Sequence, residues 1–385
     1  MNFDFTPEQE DIRRAVREIC RDFPGEYWRQ KDTERAYPVE FVAALTRGGW
    51  LAALIPEIYG GIGVGVLEAS LILEEIHRSG GNAAACHAQM YIMGTLLRHG
   101  TEEQKRRYLP GIASGQLRLQ AFGVTEPNAG SDTTRIETRA VRRGDEYVVN
   151  GQKIFTSRMQ HSDLMLLLAR TSDYDENDRA GNLSVFLVDL HEAGNRVKAV
   201  PLDTMVNHET NVVHIEDLRI PVENRIGEEG RGFRYILGGM NAERILIAAE
   251  CLGDARFFID RAVAYANERI VFDRPIGQNQ GVQFPIAAIY AQTEAADLVR
   301  CKAAARFDAG REVGPEANMA KYLASVASWV AANVCMDTFG GYGMAVEYDI
   351  ERKFRETRLY QVAPVTNHLI LAYLGNKVLG MPKSY

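Results

Sequence analysis

The spacing of hydrophobic positions changes twice along the chain and divides it into three blocks. In residues 1–117, hydrophobic positions recur every three or four residues, as on one face of a helix, and Thr6 followed by Pro7 is typical of a helix start. In residues 118–230 the pattern changes to short strand-like runs, and in residues 231–385 long alanine-rich and leucine-rich helical stretches return. We therefore predict an α+β fold with one domain in each block.

Strands are predicted in the middle block because short apolar runs there are bounded by turn residues. The predicted strands are Glu146–Val149, Leu164–Ala169, Leu183–Leu190 and Asn211–Ile220. In the third block, the helical pattern is interrupted near Pro275, at residues 310–315 and at residues 340–343. The order is therefore helices, then a sheet, then helices again.

Composition and charge exclude several classes of protein. Hydrophobic residues make up 46% and charged residues 25% of the chain, and the net charge is -7, which argues against a nucleic-acid partner. No apolar run approaches the roughly 20 residues that a membrane span needs, and the acidic start of the sequence lacks the basic region of a signal peptide. These features predict a cytoplasmic protein without a membrane partner.

The cysteines predict neither disulfides nor a metal site. They are odd in number, widely scattered and free of any Cys-x-x-Cys pair: Cys20, Cys86, Cys251, Cys301 and Cys335. We interpret them as small buried thiols.

The run Gly123–Asp132 combines two glycines, one proline and five side chains that carry oxygen. Glycine lets a backbone approach a ligand closely, proline fixes a bend, and the hydroxyl groups of Thr125 and Ser131 supply hydrogen-bond donors. This mixture suits a loop that binds a planar, polar cofactor. An ordinary surface turn is the alternative interpretation of the run taken alone.

A second run, more than two hundred residues later, is again rich in glycine and favours the ligand-binding interpretation when the two runs are taken together. It is Asp337–Met344, followed by Glu347, Arg352 and Glu356 at regular intervals. Together with Gly123–Asp132, it resembles the signatures of the acyl-CoA dehydrogenase family. The resemblance extends to Leu51–Gly63 and to Gly100–Lys105 with Leu109–Pro110, so it covers nearly the whole chain.

The resemblance implies a three-part architecture and a flavin enzyme. The expected parts are an N-terminal all-helical domain, a middle β-barrel-like or sandwich domain and a C-terminal four-helix bundle. The expected cofactor is FAD, the expected substrate is an acyl-CoA thioester, and the expected electron acceptor is an electron-transferring flavoprotein. A homotetramer and a role in fatty acid and lipid metabolism are also implied.

The resemblance assigns one set of residues to the flavin ring. In the first run these are Phe122, Val124, Thr125, Gly130 and Ser131. Gly151–Ser157 looks like the family's Gly-x-Lys-x-Trp-Ile-Thr element, which places Phe155 where an aromatic side chain shields the flavin and Ser157 where a hydroxyl reaches N5.

A second set is expected at the dinucleotide end of FAD. Arg269, Phe272 and Gln280 match an Arg-x-x-Phe…Gln element whose arginine pairs with pyrophosphate, often in a neighbouring subunit. The remaining expected contacts are Asp337, which stands where the family often has Gln, Gly340, Gly341 and Thr366.

Removing the α-proton of a thioester requires a base, which in the commonest family pattern is a Glu where this chain has Pro364. Isovaleryl-type and long-chain-type members instead carry it on an earlier helix, before an arginine, and Glu243–Arg244 matches that pair. The apolar residues that follow would keep Glu243 poorly solvated and raise its pKa, so we predict that Glu243 is the catalytic base. A surface carboxylate on an amphipathic helix is the alternative interpretation. Asn241, Arg244 and Ser131 are the predicted substrate contacts.

Two departures from the family pattern leave other functions open. Proline has no N–H to donate to the thioester carbonyl, so at Pro364 either Val365 or a shifted loop supplies that donor or the activation of the thioester is weaker. The run Asn207–Asn211 does not resemble the common Arg-x-Ser run, so no CoA contact is assigned there. The alternatives are an acyl-CoA oxidase-like or nitroalkane-oxidising enzyme of the same fold, and a catalytically silent acyl-CoA-binding protein.

Overall fold

The computed structural model describes residues 4–383. The helices before the sheet are α1 (Pro7–Arg21), α2 (Gly25–Glu34), α3 (Val39–Arg47), α4 (Val66–Arg78), α5 (Ala84–His99) and α6 (Glu102–Ser114). Helix α1 begins as predicted, because the Thr6 hydroxyl accepts a hydrogen bond from the Gln9 amide and Pro7 occupies the first turn.

The middle of the chain forms a sheet. Its strands are β1 (Leu119–Gly123), β2 (Arg139–Arg143), β3 (Glu146–Ser157), β4 (Leu164–Arg170), β5 (Leu183–Asp189), β6 (Val197–Pro201), β7 (Thr210–Pro221) and β8 (Arg225–Ile226), with the single-turn helix α7 (Leu190–Ala193) between β5 and β6. The strand order is β6-β7-β3-β2-β4-β5-β8, and β1 pairs in parallel with β4. All four predicted strands are confirmed, and the middle sheet domain with them.

The C-terminal part is helical, apart from a short hairpin. Its elements are α8 (Gly232–Glu268), β9 (Ile270–Val271), β10 (Arg274–Pro275), α9 (Gln280–Asp308), α10 (Gly314–Phe339), α11 (Ile350–Arg358) and α12 (Asn367–Tyr373). Within the described residues, no helix is long and apolar enough to cross a membrane. All five cysteines are free thiols and four of them are buried; Cys301 is half-buried.

The residues pack into two compact units, each discontinuous in sequence. The helical unit contains the described residues up to Glu34, residues Gly65–Ala83 and those from Asn241 onward. The sheet unit contains Arg35–Val64 and Ala84–Met240.

In the sheet unit, β4 is buried along its whole length because both of its faces are covered. Leu164, Leu166 and Leu168 join a core that includes Ile92 and Leu96 of α5. The alternate residues Met165, Leu167 and Ala169 join a second core formed by other strands of the sheet. This double burial explains why β4 reads as a continuous apolar run.

In the helical unit, α8, α9 and α10 pack around Phe258, Ile289 and Ala331. A buried network of charged side chains lies in the same unit. Lys353 contacts Asp254 at 2.6 Å and Glu356 at 2.9 Å, and Arg352 contacts Glu356 at 2.8 Å. Such pairs offset the cost of burying charge only while both partners remain ionised.

This network predicts acid sensitivity of the helical unit. Burial opposes ionisation of Glu356, but Lys353 and Arg352 outweigh it and lower the pKa of that carboxyl to about 2 from 4.5. A depressed folded-state pKa contributes stability that is present above pH 4.5 and is lost as the pH falls toward 2, on the order of 3 kcal/mol for this shift.

We expect urea unfolding at pH 3 to 7, followed by Trp28 and Trp329 fluorescence in a Trp50→Phe background, to show this loss. Trp28 and Trp329 lie in the helical unit and Trp50 lies in the sheet unit. Glu356→Gln should be less stable at pH 7 but lose less stability on acidification. Parallel pH profiles for the two proteins would contradict the prediction.

Candidate active site

In the sheet unit, the first glycine-rich run begins at the end of β1 and turns across β3. A Cβ atom on Gly123 would lie 3.2 Å from the side chains of Met165 and Leu167, so the chain approaches β4 closely at this point. The Thr125 carbonyl then accepts a hydrogen bond from the Ile154 amide at 2.9 Å. The structure therefore brings together Gly123–Asp132 and Gly151–Ser157, the two segments that carry predicted flavin residues.

A buried ion pair fixes this loop. The Lys153 ammonium donates to Glu126 Oε1 at 2.8 Å and to the Val124 carbonyl at 3.1 Å. The Glu126 carboxylate also accepts hydrogen bonds from the Glu137 and Thr138 amides. Burial lowers the pKa of Lys153 to about 8, although the Glu126 charge opposes that shift. Burial would raise the pKa of Glu126, but Lys153 and these amides outweigh it and lower that pKa.

Phe155 lies beside this loop in an unusual backbone conformation. Its φ is +57°, and it interrupts the register between β3 and β7. The ring is 59% exposed. A positive φ at a bulky residue is strained, so the backbone presents this aromatic ring outward at a cost in stability.

The other predicted flavin residues of the sheet unit are partly or fully accessible. Phe122 packs edge-on against Tyr91 at 5.5 Å, and the Ser157 hydroxyl lies 3.3 Å from that of Thr210. Gly130 and Ser131 are exposed, and a Cβ on Gly130 would meet no heavy atom within 4 Å. These residues fit a flavin ring. The hydroxyl groups can donate hydrogen bonds to its edge, the glycine leaves space for it, and the exposed aromatic ring can stack on it.

In the helical unit, Glu243 lies on α8, about three turns from the start of that helix, and is only 2% exposed. Two turns later, Glu250 is buried on the same face of this helix. The alternative that Glu243 is an ordinary surface carboxylate is therefore wrong, and the predicted poor solvation is confirmed.

Arg244 and Asn241 are joined by a hydrogen bond of 3.0 Å from Arg244 Nη1 to Asn241 Oδ1. Burial lowers the pKa of Arg244, and the Glu243 carboxylate opposes that shift. The three predicted residues of α8 thus form one group.

Pro364 lies in the loop between Tyr360 and Asn367, and it is exposed. The peptide bond before it is cis. Thr366 caps α12, since its hydroxyl accepts a hydrogen bond from the Leu369 amide at 3.2 Å.

The predicted dinucleotide residues lie elsewhere in the helical unit. The Arg269 guanidinium lies 5.7 Å from the centre of the Tyr342 ring, in the second glycine-rich run. A Cβ on Gly340 or Gly341 would meet no heavy atom within 4 Å, so both leave room for a ligand. Asp337, Phe272 and Gln280 are exposed, Phe272 to 93%.

Two of these groups are far apart along α8. Glu243 is the twelfth residue of this 37-residue helix and Arg269 directly follows its last residue, so the two are 26 positions apart, about 39 Å at 1.5 Å per residue. The structure therefore does not bring Arg269 to the Glu243 region of the same chain.

Sequence reasoning assigned no role to Lys153, Glu126 or Lys321. Lys153 and Glu126 stand inside the quoted motifs, whereas Lys321 is a lone lysine in the alanine-rich α10. A lone lysine among small apolar residues of a helix indicates a buried, paired ammonium, and this signal was present in the sequence.

The sequence matches three family models. They are the acyl-CoA dehydrogenase N-terminal domain over residues 6–116, the middle domain over residues 121–218 and the C-terminal domain over residues 230–368.

Relatives of known name agree with these matches. The chain is 33% identical over 383 residues to "Acyl-CoA dehydrogenase fadE12" of Mycobacterium bovis, covering 98% of this chain and 97% of that protein. It superposes on a glutaryl-coenzyme A dehydrogenase solved with glutaryl-CoA, with a TM-score of 0.92, 31% identity and coverage of 100% and 98% of the two chains. A chain from the structural study of the electron transferring flavoprotein of Acidaminococcus fermentans superposes with a TM-score of 0.93, 30% identity and coverage of 98% and 100%.

Proposed function

The chain belongs to the acyl-CoA dehydrogenase family, and we propose that Glu243 is the base that starts its reaction. The protein is an FAD-dependent enzyme that introduces a double bond between the α and β carbons of an acyl-CoA thioester. The observation that carries the assignment is the nearly complete burial of Glu243 on α8, while Pro364 stands at the other position used for a base in the family.

The hydroxyl groups, the open glycine and the exposed aromatic ring of the sheet unit support binding of the flavin ring there. When bound, FAD supplies the acceptor for the hydride that leaves the β-carbon. We propose that Phe122, Phe155 and Val124 contact the ring faces, and that Thr125, Ser131 and Ser157 offer hydroxyl groups to its edge. Ser131 is also a proposed substrate contact.

The protein's own chemical task is proton removal. Glu243 takes the α-proton while the β C–H bond breaks with its electron pair, so the α C–H electrons form the double bond. Burial on α8 keeps Glu243 away from bulk water, as expected for a general base that acts on a bound substrate. Asn241 and Arg244 are held together beside Glu243, and we propose that they contact the acyl-CoA.

We propose a branched or otherwise bulky acyl chain as the substrate. A base on α8 leaves no carboxylate at Pro364, and this frees volume near that loop. Faster turnover of straight medium chains would contradict this proposal.

We propose a homotetramer that passes electrons to an electron-transferring flavoprotein. The exposed apolar side chains of the β9–β10 hairpin support the assembly, above all Phe272 and Ile270, because exposed clusters of this kind mark interfaces. The distance of Arg269 from Glu243 supports a role for Arg269 and Gln280 toward the FAD of a neighbouring subunit. The other proposed dinucleotide contacts are Asp337, Gly340, Gly341 and the hydroxyl of Thr366. Five free thiols support a cytoplasmic location.

The first experiment is the anaerobic visible spectrum of the purified holoenzyme, before and after addition of straight and branched acyl-CoA thioesters. Bleaching of the flavin is expected and ranks the substrates. Peroxide formation in air without an added acceptor would indicate the oxidase-like alternative. A flavin that no thioester reduces would indicate a silent binding protein.

Phe155→Gly separates backbone strain from flavin contact. Glycine tolerates φ of +57°, and the relieved strain offsets the entropy of the added glycine, so apoprotein stability should stay within about 1 kcal/mol of wild type. FAD affinity, measured by fluorescence titration of the apoprotein, should fall up to about tenfold because aromatic stacking is lost. Phe284→Ala removes an equally exposed ring from α9 and is the control. Unchanged FAD affinity in Phe155→Gly would refute the contact.

A further inference from the structure

A buried lysine fastens the loop that carries Pro364. The Lys321 ammonium on α10 is fully buried and donates hydrogen bonds to the Tyr360 carbonyl, to the Val365 carbonyl at 2.9 Å and to Asn367 Oδ1 at 2.8 Å. These acceptors flank Pro364 on both sides. An ammonium has three donor hydrogens, so the three bonds use its full capacity.

Side-chain hydrogen bonds make the same loop rigid. Asn367 Nδ2 donates to Gln361 Oε1 and to Ser325 Oγ, each at 3.0 Å. Gln361 Nε2 in turn donates to the Ser325 carbonyl at 2.6 Å. The two ends of the loop are therefore held to α10 and to each other, and its peptide groups have little freedom to rotate.

The contact with Val365 decides where the next amide points. In a trans peptide the carbonyl oxygen and the following N–H point in opposite directions. The bond between Val365 and Thr366 is trans, and its carbonyl points inward to buried Lys321. The Thr366 N–H therefore points away from that interior, on the half-exposed side of the loop.

The same ammonium lies within electrostatic range of the proposed base. Burial lowers the pKa of Lys321 to about 8, whereas the Cys251 and Glu243 side chains raise it and Arg244 lowers it. Lys321 therefore interacts electrostatically with the α8 group while its hydrogen bonds hold the loop.

We propose that Lys321 is a positioning residue that turns the Thr366 N–H toward the thioester carbonyl and so replaces the donor that Pro364 lacks. The inference rests on the proposed role of Glu243. A donor aimed at the developing oxyanion contributes about 10²- to 10³-fold to the rate of such reactions. Without it, the chain would have to remove a weakly acidic proton with one activating group fewer.

The test is the infrared band of the bound thioester carbonyl. Isovaleryl-CoA labelled with ¹³C at the carbonyl carbon, or the acyl-CoA of the panel that bleaches the flavin fastest, is bound to the Glu243→Gln holoenzyme so that it is not consumed. A hydrogen bond to the carbonyl lowers its stretching frequency. We expect a large downward shift, which Lys321→Met in the same background reduces by about half because the donor is no longer held.

The matched control is Lys353→Met, which removes an equally buried lysine of the helical unit whose partners are two carboxylates, the Gly81 carbonyl and the His77 ring. It should lose stability but keep the full carbonyl shift. If Lys321→Met does not fold, Asn367→Ala removes one acceptor of the clamp and should give a smaller reduction of the shift. The inference is overturned if the carbonyl shift in Lys321→Met, or in Asn367→Ala, is as large as the shift in the Lys353→Met control.

The affinity for a thioether analogue that lacks the carbonyl supplies a second measurement. Lys321→Met should bind the thioester at least about tenfold more weakly while its affinity for the thioether stays unchanged, and an equal loss of both affinities would mean a purely structural role. Failure of the underlying proposal is recognised separately, because Glu243→Gln with Lys321 intact would then still bleach its flavin.

Discussion

Glu243→Gln is expected to slow flavin reduction by about 10²- to 10⁴-fold, the usual contribution of a general base. Glutamine has nearly the size of glutamate but cannot accept the α-proton, so the variant should still bind acyl-CoA. Stopped-flow absorbance under anaerobic conditions gives the reduction rate, and titration of the flavin spectrum gives the affinity.

The chain offers a matched control on the same helix. Glu250 lies two turns after Glu243 and is 1% exposed, and its carboxylate is 3.9 Å from His77 Nε2. Glu250→Gln should lower stability but keep flavin reduction close to the wild-type rate. Loss of reduction in Glu250→Gln but not in Glu243→Gln would move the base along α8 and contradict our assignment.

Glu126→Gln is expected to destabilise the sheet unit by about 3 kcal/mol and to release FAD more readily. The substitution leaves the Lys153 ammonium buried without its counter-ion, and one of the two amides bound by the carboxylate loses its acceptor because one oxygen becomes an NH₂ group. Urea unfolding of the apoprotein measures the first effect, and ultrafiltration of the holoenzyme measures the second.

The double variant Glu126→Gln/Lys153→Met separates charge from packing. With no ammonium left to bury, it should recover part of the stability lost in Glu126→Gln, but the Val124 carbonyl now loses its donor, so FAD remains weakly held. If the loss of stability in the double variant equals the sum of the losses in Glu126→Gln and Lys153→Met, the ion pair does not stabilise the loop.

The architecture was predictable because it depends on local patterns. Hydrophobic spacing and turn residues located the helical blocks and the strands β3, β4, β5 and β7, since a strand such as β4 with both faces buried is apolar along its length, whereas β1, β2, β6 and β8 were not predicted. The burial of Glu243 was also predictable, because Ile245, Leu246 and Ile247 follow it on α8.

The contacts that fix the site were not predictable in the same way. Lys153 meets Glu126 from 27 positions away, and Lys321 meets Val365 from 44 positions away. Their pairing depends on how strands and helices pack, which hydrophobic spacing does not encode. The positive φ of Phe155 results from a register shift between β3 and β7, whose paired residues are distant in sequence.

The interleaving of the two units also bears on synthesis of the chain at the ribosome. The sheet unit is complete once Met240 has been made, but α4 packs with α9, which begins 40 residues after that point. Glu74 on α4 pairs with Arg256 and Arg300, so at ordinary translation speeds this carboxylate waits roughly 10 to 40 s after Ala83 is made for its full set of partners. During that interval the sheet unit has time to fold while α4 still lacks α9, which makes α4 and the helix α1 that packs on it the segments most in need of a chaperone.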